Sequence, residues 1–106
     1  MPKYMITGSY TAEGVKGLLA EGGTGRRSAV EKLLASVGGS LDAFYFGFGG
    51  DDFYVIADLP NNAAAAAGAL AASAAGAVRA RTVVLLTPEE VDAATKLSPT
   101  YRPPGG

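Results

Sequence analysis

Short β-type runs alternate with helical stretches along this chain. Residues Tyr4 to Tyr10 form a β-compatible run that ends at Thr11, after which Val15, Leu18 and Leu19 recur at helical spacing. Gly22, Gly23 and Gly25 interrupt that spacing, and Val30, Leu33, Leu34 and Val37 resume it on one stripe. The first helix is therefore predicted to be broken or bent, and Gly38 and Gly39 end it. Two aromatic and β-branched runs, about Leu41 to Phe48 and Asp52 to Leu59, flank Gly49, Gly50 and Asp51 and read as a hairpin. Pro60 and Asn61 stop the second run, and an alanine-rich helix of high intrinsic propensity follows as far as Gly76. VRARTVVLL supplies a fourth strand. Thr87, Pro88 and Glu90 then start a short helix to about Lys96, with an N-cap hydroxyl, proline at the first helical position and glutamate at the third.

The order β, α, β, β, α, β with an appended helix is the ferredoxin-like double βαβ pattern, an α+β fold with a four-stranded antiparallel sheet of order 4-1-3-2. Residues 1–97 are expected to form one domain. The tail Ser98 to Gly106, with three prolines and two terminal glycines, is expected to be extended and poorly ordered. Both helices should cover one sheet face, leaving the other to alternate in polar residues. The third strand instead offers Phe53, Val55 and Ala57 on one side and Tyr54 and Ile56 on the other. The second strand repeats this, with Phe44, Phe46 and Phe48 expected on one side and Leu41, Ala43 and Tyr45 on the opposite one. Apolar side chains on both faces predict a sheet-to-sheet homodimer.

Composition sharpens this picture. The 106 residues suit one domain, and the 48% hydrophobic share is so rich in alanine, beside 15 glycines, that any core must be thin or shared. Nine basic against ten acidic residues leave no strong field to attract nucleic acid or anionic lipid, so neither a nucleic-acid nor a membrane partner is expected. Histidine and cysteine are both absent, which excludes thiolate nucleophiles, imidazole bases and their metal sites. No metal and no cofactor is expected. A chain without cysteine suits a reducing compartment, and MPKYMITGSY lacks the features of a secretory signal, so a cytoplasmic protein is the expectation. The most apolar run, Ala63 to Val78, is short of a bilayer span and reads as a soluble helix.

Several features together carry a family resemblance: Tyr4 to Tyr10 followed by TAEGV, the GGSLDAFYFGFG strand, the acidic hairpin before FYVIADLP, the alanine run, and VRARTVVLLTPEE. In their order and spacing the chain resembles the GYD family of the dimeric α+β barrel group over roughly Tyr4 to Thr95. Of the glycine, tyrosine and aspartate for which that family is named, Gly49 and Asp52 match, while Asp51 stands where the tyrosine is expected. The resemblance implies the ferredoxin-like fold and dimerisation, and no agreed reaction. The wider group includes cofactor-independent monooxygenases, haem-degrading enzymes, muconolactone-isomerase-like proteins and ligand-sensing domains. A shared fold transmits no chemistry, and no histidine is present here to bind haem iron.

Four groups of residues invite a chemical reading. EGGTGRR superficially resembles a phosphate loop, with Arg26 and Arg27 beside a helix start, but it lacks the lysine and the preceding strand that nucleotide motifs require, and a flexible connection is favoured. Asp51 and Asp52 are read as solvated turn residues rather than an acid/base pair, because neighbours on a strand point to opposite faces. The row Phe44, Phe46, Phe48 is read as packing rather than a stacking platform, since the basic groove that accompanies base stacking is missing. The last strand should pair with the first so that Tyr10 neighbours Arg79. A ligand site is therefore expected on the helix side, bounded by Tyr10, Tyr45, Arg79 and Arg81, where a phenol and guanidinium groups would orient a carboxylate or enolate. The competing expectation pairs these arginines with Asp58 or Glu13 at the surface.

Two functional readings follow. The first is a cytoplasmic homodimer that binds a small organic molecule, anionic or neutral, between sheet and helices, with or without cofactor-independent turnover. The second is an assembly protein whose dimer packs into a higher homo-oligomer through the tail or last helix, with no ligand. A third, the sensing half of a regulator, needs a separate DNA-binding chain, because no helix-turn-helix is encoded.

Overall fold

The computed structural model describes all of Met1–Gly106. Its elements are β1 (Lys3–Tyr10), α1 (Ala12–Ser36), β2 (Ser40–Phe46), β3 (Phe53–Asp58), α2 (Asn62–Ala74), β4 (Val78–Leu85) and α3 (Pro88–Thr95). The four strands form one antiparallel sheet in the order β2-β3-β1-β4, as the double βαβ pattern requires. Local chemistry sets each helix start. The Thr11 hydroxyl accepts the Gly14 N–H, the Asn61 side chain accepts the Ala64 N–H, and Thr87 and Glu90 form a reciprocal capping box. The bend in α1 is confined to Gly22, whose φ of 77° and ψ of 171° lie in a region essentially restricted to glycine.

The helical face of the sheet carries the core: Tyr4, Phe53, Val55 and Ala57 from the strands, Leu34 from α1, Ala65 from α2 and Leu59 beyond β3. Only 10 of 106 residues are buried, so the thin core expected from an alanine-rich composition is what the chain builds. Gly14 is one of them. It lets the start of α1 approach the turn before β4 so closely that a methyl group there would overlap the Ala77 carbonyl oxygen.

One feature of β2 departs from simple alternation. Leu41 pairs with Ala57, yet Ala43 pairs with Ile56, which leaves Asp42 as an extra residue in a bulge. The insertion changes the phase, so Leu41 packs against the core on the same side as Phe44, instead of facing away with Ala43 and Tyr45. Strand β2 also ends at Phe46, and Phe48 stands fully exposed in the loop. The bulged Asp42 and the strand residue Asp58 both accept hydrogen bonds from Lys3 Nζ, at 3.1 and 3.0 Å, tying β2, β3 and β1 together at one end.

The face away from the helices exposes Tyr45, Tyr54 and Val83, beside half-buried Met5 and Ile56. Helix α3 buries no residue, and from Leu86 onward the chain is exposed throughout. The Cα radius of gyration is 16.7 Å, against about 13 Å for a compact domain of this length, and the longest dimension is 55 Å. Helix α3 and the tail account for that excess as an arm leading away from β4. No helix is long and apolar enough to cross a membrane.

Candidate functional site

Helix α1 packs over β2 and β1 while α2 packs over β4, and a groove remains between them above the sheet. Its origin is the size of the α2 side chains. The residues of α2 that line the groove are Ala64, Ala65, Gly68, Ala69 and Ala72, too short to reach α1, whereas its largest residue, Leu70, is 70% exposed. The resulting cavity has a volume of about 100 Å³, floored by residues such as Ile6, Phe44, Phe53 and Val78 and walled on the α1 side by Val30 and Leu34. A second cavity of about 170 Å³ adjoins it between the first half of α1 and the end of α2, and the two share Tyr10, Arg26, Ala72 and Val78.

Arg26 is the one charged residue in the wall of the apolar cavity. It lies just past the Gly22 break, four residues before Val30, and forms a 3.3 Å ion pair from Nη1 to Glu21 Oε1. The Tyr10 ring packs 5.3 Å from that of Phe53. Burial raises the Tyr10 phenol above the usual tyrosine pKa; Arg26 works against the shift, and the Glu21 and Asp52 carboxylates add to it. The phenol therefore stays protonated, and a hydrogen-bond donor, through the neutral range. The polar end of the groove thus combines a fixed cation with a neutral donor.

The structure separates the four residues expected to share one site. Tyr10 lines both cavities. Tyr45 pairs with Tyr54, which alternates with buried Phe53 and Val55, and so stands on the opposite face. Arg79 and Arg81 alternate with Val78 and Ala80, which line the groove, and also project from the opposite face. The physical reason is register: Tyr10 faces Val78 across the β1–β4 ladder, and Arg79 faces Ser9. Arg81 pairs with neither Asp58 nor Glu13 but with Asp51, at 2.7 Å.

Asp51 and Asp52 serve the hairpin itself. Asp51 Oδ2 accepts from Thr7 Oγ1 at 3.0 Å as well as from Arg81, and Asp52 Oδ2 accepts from the Tyr10 backbone N–H at 3.0 Å. The two carboxylates thus fold the Gly47 to Asp52 loop over the end of β1, rather than pointing into solvent as turn residues. Asp51, at the position where the family's signature tyrosine is expected, is part of this clasp. Of the phenylalanine row, Phe44 floors the groove and packs 4.9 Å from Phe46, whose ring in turn abuts Gly23. EGGTGRR is helical on both sides of Gly22 rather than a loop. Arg26, the residue that brings charge to the groove, was readable from spacing: positions 26, 30, 33 and 37 follow one helical stripe, so the arginine continues the apolar face formed by Val30, Leu33 and Val37. No group of three or more acidic side chains gathers in a form suited to a metal ion.

A family model described as GYD domain matches residues 4–95. No curated protein and no solved structure matches the chain.

Proposed function

The chain belongs to the GYD domain family, and from that premise we propose that it is a cytoplasmic homodimer that binds a small organic molecule in the groove between α1 and α2. The observation that carries this reading is the apolar cavity of about 100 Å³ whose wall holds a single charged residue, Arg26, with the Tyr10 phenol beside it. Small-molecule sites have this character: a mostly apolar concavity with a few convergent polar groups. Apolar cavities of about 150 Å³ accept a benzene ring, and the two adjoining spaces here, of about 100 and 170 Å³, together exceed that size. The second copy in the proposal covers the other sheet face, where exposed Tyr45, Tyr54 and Val83 lie beside Met5 and Ile56. A chain without cysteine suits the reducing cytoplasm.

The test is a thermal-shift screen with small aromatic and aliphatic acids and their neutral counterparts, repeated on Ala69→Leu. The leucine extends from α2 into the groove and should abolish any ligand-induced rise while itself leaving the protein as stable or more so. A ligand that raises the midpoint of wild type and of Ala69→Leu equally binds elsewhere, and sinks the reading.

One observation favours a second reading, in which the protein assembles further. Helix α3 and the tail form an arm with Val91, Leu97 and Tyr101 exposed, suited to docking on another copy. Light scattering distinguishes the two: a stable dimer favours the ligand-binding reading, and a large uniform particle favours assembly.

A further inference from the structure

Arg26 has one side-chain partner, Glu21, through one contact of 3.3 Å, and the two side chains are 35% and 39% exposed. A guanidinium presents five N–H donors in a planar fork that fits both oxygens of a carboxylate, so a single long contact leaves most of that capacity unused. The pair straddles the Gly22 break. Glu21 ends the first segment of α1 and Arg26 lies in the first turn of the second, so a carboxylate of the chain itself rests on the cation of the groove.

Resting on the groove reading above, we propose that the site is specific for a carboxylic acid with a short aryl or alkyl body. The body lies against Phe44, Val30 and the alanines of α2, the carboxylate displaces Glu21 from Arg26, and the Tyr10 phenol donates a hydrogen bond to it. Four observations converge on this class. The cavity wall is apolar except at one end, which calls for an amphipathic ligand with a single polar head. That head meets one guanidinium, whose planar fork takes both oxygens of a carboxylate, whereas a phosphate dianion would set a second negative charge beside Glu13 and Glu21, which line the adjoining cavity. The place is already held by a carboxylate, which a neutral head has no means of replacing. The phenol, kept protonated by its burial, offers a proton where a second anion would repel the ligand.

Calorimetric titration of the full chain with hydrocinnamate and with hydrocinnamyl alcohol, which share a body and differ in the head, tests the proposal. Hydrocinnamate should bind about tenfold more tightly than the alcohol, the worth of one charge-assisted hydrogen bond at a partly exposed site. Arg26→Ala should erase that preference, so that acid and alcohol bind the variant equally. Glu21→Gln removes the internal competitor and should tighten hydrocinnamate about threefold without affecting the alcohol, in keeping with the small worth of an exposed ion pair. Equal binding of acid and alcohol to wild type would overturn the carboxylate proposal and leave the groove reading standing. Binding of neither probe overturns the groove reading itself, as when side chains of a second copy already fill the space. If Glu21→Gln weakens both probes alike, Glu21 is a staple of the bend and not a competitor, and the displacement proposal falls.

Discussion

Thr7 and Arg81 face each other across the β1–β4 ladder, and both donate to the same carboxylate oxygen, Oδ2 of Asp51, at 3.0 and 2.7 Å. Thr7 is 1% exposed although it lies on the sheet face away from the helices. What covers it is the hairpin loop: Thr7 Oγ1 also contacts the Phe53 carbonyl oxygen at 2.8 Å, and Ser9 Oγ donates to the Gly50 carbonyl. Asp51 therefore joins β1, β4 and the β2–β3 loop.

Removing that carboxylate should loosen the loop. Asp51→Ala is expected to cost about 1–2 kcal/mol in urea unfolding, mostly through the buried Thr7 contact, because Arg81 is 68% exposed and its ion pair is largely screened. Asp51→Asn keeps an acceptor for Thr7 and should cost less. An equal loss in both variants would assign the stability to charge instead.

Two glycines of α1 should respond to the same substitution with opposite sign. Gly17 lies within the helix with open space around it, so Gly17→Ala should stabilise by about 0.5–1 kcal/mol. Gly22, at a φ of 77°, has the same open space but a backbone that a side chain rarely adopts, and Gly22→Ala should destabilise by about 1–3 kcal/mol. Thermal midpoints of the two variants, measured side by side, check both signs.

The proposed dimer makes Ile56 an informative position. It pairs with Met5 and Ala43 on the face away from the helices, so Ile56→Asp should yield monomer or aggregate while the wild type sediments as a dimer. A wild-type mass of 10.7 kDa at micromolar concentration would rule out the dimer.

Stability should fall in alkali. The Tyr10 phenol is raised by burial, and Lys3 is raised by its hydrogen bonds to Asp58 and Asp42. For both groups the folded state holds its proton more tightly than the unfolded chain. That contribution is fully present below the ordinary values, near about pH 10, and is lost as pH rises through the raised ones. Tyr10→Phe has no proton to lose there, so its urea midpoint should decline less steeply than that of wild type above about pH 10.

Removal of Ser98 to Gly106 should leave the thermal midpoint nearly unchanged, since every residue of the segment is exposed and the closest polar contact of Arg102 is to Gly106 within the tail itself. A large loss in scanning calorimetry would show that Tyr101 or Arg102 docks on a second copy.

The order of elements, the Thr87 helix start, the break within Gly22 to Gly25, and apolar side chains on both faces of β2 and β3 were legible in the residues alone. Those are local properties: a cap, a helical stripe or an alternating run is complete within a few residues and needs no partner to be read. What a strand residue faces is different, because phase is counted along the ladder and a single residue inverts it. One extra residue, Asp42, turned Leu41 toward the core, and the phase of β4 put Val78, not its neighbour Arg79, on the Tyr10 side of the sheet. The groove was equally a tertiary matter. Alanines in α2 were visible in the sequence, but only the placement of α2 over β4 and α1 over β2 and β1 turned their small volume into a cavity with Arg26 and Tyr10 at one end.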